Sequence, residues 1–122
     1  MSKEEEEKII SSLLYIKMDK EQLRKATLEF TLNTFKIGCD HMNYSILSML
    51  PTNIESIMKK FNLTKMPANR RVNELIKVGL VNRKKGTGEV LPTDLTLKFT
   101  KVIEKISEGL KEEVPRLLFT HH

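Results

Sequence analysis

Leu63-Thr64-Lys65-Met66-Pro67-Ala68-Asn69-Arg70-Arg71-Val72-Asn73-Glu74-Leu75-Ile76-Lys77-Val78-Gly79-Leu80-Val81 is the most informative stretch of this 122-residue chain. Ala68, Val72, Leu75 and Ile76 recur at the spacing of a single helical face. The pattern predicts a helix over 65–78, with Thr64 as its N-cap and Gly79 ending it. Pro67 falls in the first turn, where a missing N–H costs little. If the four apolar residues face inward, Lys65, Met66, Asn69, Arg70, Asn73 and Lys77 face outward, with Arg71 on the flank.

The pattern extends upstream. Asn62-Leu63 reads as a tight turn, preceded by a short helix over 54–61. Asn53 caps that helix, and Ile54, Ile57, Met58 and Phe61 form its inner face. Before it, Asp40 caps a helix running to Leu50, where Pro51 stops it; Tyr44, Ile46, Leu47 and Leu50 are its apolar residues. Two longer helices are predicted ahead of these, over 2–16 and 20–36. Asp19 and Gln22 form a capping box for the second, and Gly38 is its C-cap. Their apolar stripes are Ile9, Ile10, Leu13, Leu14 and Ile16 in the first, and Leu23 to Phe35 in the second.

Downstream, residues 80–84 are a short strand candidate and 85–88 a glycine-containing hairpin turn. Residues 89–91 return, with Pro92 confining that strand to an edge. Thr96 then caps a last long helix carrying Leu97, Val102, Ile103, Ile106 and Leu110. Pro115 kinks or breaks it before Leu117, Leu118 and Phe119. The organisation expected is terminal helices over 1–38, a core over 39–96 and a C-terminal helix over 97–122.

Charge is unevenly distributed along this plan. Window 59–85 holds nine basic residues and a single acid, Glu74, for a net +8. The whole chain carries +5, so the remainder carries −3. A basic centre between acidic flanks is the footprint of a polyanion partner, set against the plainer reading of a solvated lysine-rich surface. Hydrophobic residues make up 39%, enough for one modest core. No apolar run reaches the ~18 residues of a membrane span. The acidic N-terminus does not resemble a signal peptide, and a lone cysteine suits a reducing cytoplasm.

In this order, these elements resemble the winged helix-turn-helix transcription regulators of the arsenic-repressor-like and multiple-antibiotic-resistance-repressor-like families. The resemblance covers roughly 40–106. It is carried by the leucine and hydroxyl at Leu63-Thr64, the small residue Ala68, the apolar Val72, Leu75 and Ile76, the Gly79-Leu80-Val81 lead into the hairpin, and Leu95-Thr96 after it. The fold it implies is mainly α with a small β-hairpin wing, plus extra N- and C-terminal helices. The function it implies is sequence-specific binding of double-stranded DNA, as a repressor and a homodimer, with helix 65–78 in the major groove and a basic wing over 82–90 on the backbone.

The residues expected at the DNA are Thr64, Lys65, Met66, Pro67, Asn69, Arg70, Arg71 and Asn73, with Lys77 further along the helix and Arg83, Lys84, Lys85 and Thr87 on the wing. Arg can grip guanine O6 and N7, Asn can grip adenine, and Met66 can pack on a thymine methyl. Smaller polar residues are the rule in these families at Met66 and Pro67. Arg70 also stands at pairing distance along the helix from Glu74. The main rival is a winged-helix protein-interaction subunit of a larger assembly. RNA binding is disfavoured by the seven aromatics and the lack of a stacking platform.

Cys39-Asp40-His41 is the one cluster with chemical potential. Adjacent Cys and His seldom converge as a catalytic pair, and a metal site needs three or four ligands. No enzyme activity, cofactor or metal is expected, and Cys39 is expected to be a small buried residue. Multiple-antibiotic-type regulators also bind small effectors, but no residue here identifies one.

Overall fold

The computed structural model describes residues 2–120; the side chains of 13–17 and 120 lie outside the described residues, and so does the Leu13, Leu14 and Ile16 part of the first predicted stripe. Two compact units divide the chain, Met1–Lys36 and Ile37–His122. No helix among the described residues is long and apolar enough to cross a membrane.

The first unit contains α1 (Lys3–Lys17) and most of α2 (Lys20–Gly38). Glu4, Glu5 and Glu6 sit at the positive end of the α1 dipole. The capping box forms as expected: Gln22 N donates to Asp19 Oδ1 at 2.7 Å and Asp19 N to Gln22 Oε1 at 3.2 Å. Ile9, Ile10, Leu28, Phe30 and Leu32 are exposed.

The second unit runs α3 (His41–Ser48), α4 (Ile54–Phe61), α5 (Lys65–Lys77), β1 (Val81–Arg83), β2 (Val90–Pro92), α6 (Asp94–Leu110) and α7 (Glu113–Thr120). Helix α5 is central and packs against α3, α4 and β1, while α6 packs on β2 and α7. The core is Ile46 and Leu47 of α3, Ile57 of α4, Ala68, Val72 and Leu75 of α5, then Val78, Leu80, Val81, Val90 and Phe99. Each valine, leucine, isoleucine or phenylalanine among them contributes roughly 1.5–3 kcal/mol by burial. Ile76, expected in the core, is only half-buried, because the inward arc of α5 is centred on Val72.

The hairpin is antiparallel in the register Val81↔Pro92, Asn82↔Leu91, Arg83↔Val90. Val90 is not at an edge as Pro92 suggested. Its N–H and C=O both bond to Thr52, at 2.7 and 2.9 Å, so the connection between α3 and α4 adds a third partner. Pro92, which has no N–H, comes where the pairing ends.

Helix α6 starts two residues ahead of Thr96. Thr93 is the N-cap and Thr96 completes the box, each hydroxyl taking the other's backbone N–H. The same hydroxyls also reach back across the hairpin. Thr93 Oγ1 donates to the Gly79 carbonyl at 2.6 Å, and Thr96 Oγ1 donates to the Leu80 carbonyl. The helical run breaks at 111–112, upstream of Pro115, which lies in the first turn of α7.

Gly38 also departs from expectation. It ends α2 without entering the left-handed region, which among the glycines is occupied by Gly79, Gly86 and Gly88. Close packing explains it instead. A Cβ there would lie 2.6 Å from Phe99 Cζ and 2.8 Å from Leu80 Cδ1, both on buried side chains. Gly38→Ala should therefore lower stability in urea unfolding by about 1–3 kcal/mol despite alanine's better helix propensity. Gly109→Ala, in α6 with open space around it, should raise stability by about 0.5–1 kcal/mol.

Candidate nucleic-acid interface

The turn into α5 is set by Asn62, whose φ and ψ of 52° and 50° place it in the left-handed region that Asn tolerates better than most residues. The N–H groups of Asn62 and Leu63 both return to the Met58 carbonyl, ending α4 and redirecting the chain. Thr64 follows in extended conformation at the N-cap of α5, but its hydroxyl makes no cap bond. The cap predicted from its side chain is absent, and the residue is exposed.

Burial of Ala68, Val72 and Leu75 fixes the rotation of α5. Lys65, Met66, Arg70, Asn73 and Lys77 are consequently exposed, Met66 to 77%. Pro67 and Asn69 are half-buried. Arg70 makes no ion pair with Glu74 among the described residues, so its guanidinium extends into solvent. Of the nine cations in 59–85, seven are exposed; Arg71 and Arg83 are half-buried, and both are engaged by other side chains.

Arg71 Nη1 meets Asp40 Oδ2 at 2.7 Å, with the two side chains 32% and 42% exposed. That same oxygen caps α3 by accepting from Asn43 N at 3.1 Å. Arg83 is expected on the wing, at the DNA backbone. It lies in β1, and its side chain turns back to α5, where Nη2 donates to Asn69 Oδ1 at 3.0 Å and to Asn73 Oδ1 at 3.1 Å. Asn69 Nδ2 donates to the Lys65 carbonyl at 3.1 Å. The tip itself carries exposed Lys84, Lys85 and Thr87. Gly86 and Gly88, with φ of 87° and 71°, supply the turn that L side chains resist.

Between the start of α4, the first turns of α5 and the hairpin lies an open groove of about 610 Å³, bordered by Asn53, Glu55, Lys65, Asn69, Arg83 and Gly88 among others. A cationic helix face, a cationic hairpin and a groove between them thus share one side of the second unit. HlyU from Vibrio cholerae N16961 has the same arrangement of chain, with a TM-score of 0.54 at 17% identity over 73% of this chain and 97% of HlyU. The fold is a winged helix-turn-helix. No family model matches the sequence, and no curated protein matches it either. In this fold α4 and α5 are the helix-turn-helix and β1–β2 is the wing.

Cys39, expected to be buried, is exposed. It borders a depression of about 230 Å³ with His41, Tyr44, Ser45 and Ile103. It lies in the short link to α3, outside the apolar arcs that make the core. No group of three or more His, Cys, Asp or Glu side chains able to hold a metal occurs among the described residues.

Asp40 is the junction at which capping and ion pairing can be separated. Asp40→Ala should cost about 1–2 kcal/mol in denaturant unfolding, since it removes the α3 cap and the partner of Arg71. Asp40→Asn keeps a capping oxygen and should cost less than about 1 kcal/mol, the scale of a surface ion pair.

Proposed function

We propose that this chain is a DNA-binding transcription regulator, a repressor acting in the cytoplasm, that reads duplex DNA with α5 and steadies itself on the backbone with its wing. The observation that carries the reading is the outward face of α5. On a winged helix-turn-helix, that helix buries one side completely and presents Lys65, Met66, Arg70, Asn73 and Lys77 on the other, beside a wing tip holding Lys84 and Lys85. The fold shared with HlyU supports the same reading.

The major groove, about 12 Å wide, admits one such helix. Arg70, extended and unpaired, suits the O6 and N7 acceptors of guanine; Met66 suits a thymine methyl. Thr64, with its hydroxyl unused by the helix, and the wing lysines suit phosphate oxygens, which fix position without reading sequence. Arg71 is better placed to stiffen the α3–α5 contact through Asp40 than to leave it for DNA.

The terminal helices are proposed to form a homodimer. Val102, Ile106 and Leu110 of α6 and Val114, Leu117, Leu118 and Phe119 of α7 are all exposed, Phe119 to 78%, as are Ile9 and Ile10 of α1 and Leu28, Phe30 and Leu32 of α2. A two-fold partner covers such stripes by letting each meet its own copy. It would also set two reading helices about 34 Å apart, one turn of DNA.

Duplex affinity should fall steeply with salt, with a log–log slope near −8 for a dimer that neutralises four to six phosphates per protomer. Arg70→Ala should cost about 1–3 kcal/mol and relax preference at one position per half-site, whereas Lys85→Ala should weaken all sequences alike and flatten the slope. A slope near zero, or no duplex binding at low salt, would instead favour a protein-interaction module.

In sedimentation at micromolar concentration the chain, 14.1 kDa as a monomer, should run at about twice that mass. The double variant Ile106→Glu, Leu117→Glu should run as a folded monomer with weaker DNA affinity. A wild-type monomer that binds DNA tightly would refute the dimer.

A further inference from the structure

Arg83 holds the two asparagines that a helix of this kind would use to read adenine. Adenine presents an acceptor, N7, beside a donor, the N6 amino group, so reading it takes an amide that offers both a donor and an acceptor. Guanine presents two acceptors, N7 and O6, and requires donors only. Arg83 has no acceptor atom, so the amide atoms facing it are the carbonyl oxygens, which fixes the orientation of both amides. Both Nη2 hydrogens are committed, one to Asn69 Oδ1 and one to Asn73 Oδ1.

Each oxygen retains a second lone pair, but a guanidinium at 3.0–3.1 Å offsets the negative potential that an adenine amino group would seek there. The same positive charge favours guanine O6 and N7. The amide of Asn69 is further occupied by its bond to the Lys65 carbonyl. The exposed residues beside them on α5, Lys65 and Arg70, offer donors only. The helix's one carboxylate, Glu74, is half-buried.

We infer that Arg83 is a specificity-determining residue whose clasp on Asn69 and Asn73 turns the reading face of α5 from adenine to guanine. This rests on the duplex-DNA reading above. It assigns to the base of the wing an influence on base choice exerted through the recognition helix, apart from any contact the wing makes itself.

The test is selection from randomised duplexes by full-length wild type, Arg83→Ala and Arg83→Gln, with affinities then measured on the selected sites. Wild type should enrich guanine at the position under Asn69 and Asn73. Both variants should shift that position toward adenine, changing the A-to-G preference about tenfold or more. Adding Asn73→Ala to Arg83→Ala should abolish the gained adenine preference. If both Arg83 variants bind every sequence more weakly with an unchanged order of preference, Arg83 is a backbone contact and the clasp inference fails while DNA binding stands. If wild type retains no duplex at all, the DNA reading and this inference fall together.

Discussion

Two threonine hydroxyls hold the second unit in its working shape. Thr93 and Thr96 cap each other's backbone at the start of α6 and also bond to the carbonyls of Gly79 and Leu80, where α5 hands over to β1. Both strands of the wing run between those anchor points, so the hairpin leaves and re-enters the body at one pinned place. These two carbonyls lie just past the end of α5, and the start of α6 satisfies them. Such bonds are short-range and directional, so they determine where the wing begins more narrowly than the apolar core could. The position of Arg83, and through it the orientation of Asn69 and Asn73, follows from that anchoring.

The elements were legible where one local pattern sufficed. The inward arc of Ala68, Val72 and Leu75 is a single-helix periodicity, and the Asp19–Gln22 box, the Asp40 and Asn53 caps and the Asn62 turn each act within four residues. The departures share a physical origin in non-local partners. Thr96 has the residue type of a cap, but it stands at the third helical position of a box whose cap is Thr93, and both hydroxyls are tied to carbonyls across the hairpin, those of Gly79 and Leu80. Gly38 lies at a helix end, where a left-handed turn is the common use of glycine, yet the approach of Phe99, 61 residues further along, accounts for it. Pro92 pointed to an edge strand, but Thr52, which flanks Val90 on its other side, belongs to a different connection.

The candidate interface divides in the same way. Lys65, Met66, Arg70, Asn73 and Lys77 face outward as their spacing required, because exposure is the complement of a buried arc. Charge composition alone could not separate the seven exposed cations from the two engaged by other side chains, since Arg71 finds Asp40 and Arg83 finds two amides across gaps of 31, 14 and 10 residues. Asn53 and Glu55 border the groove without belonging to the 63–81 stretch, and no linear spacing joins them to it.

The pair of backbone hydrogen bonds between Thr52 and Val90 has a mechanical meaning. It fastens the root of the wing to the segment that launches α4, the helix preceding α5 in the helix-turn-helix. The wing and α5 are therefore two jaws of a calliper with a fastened joint, and Gly86 and Gly88 make the turn at the tip of one jaw. On the proposed DNA reading, a duplex would meet an opening set by the protein. Sequences whose grooves already match the gap would be gripped without distortion, and stiffer or narrower ones would have to bend to fit, so DNA shape would be selected along with base edges.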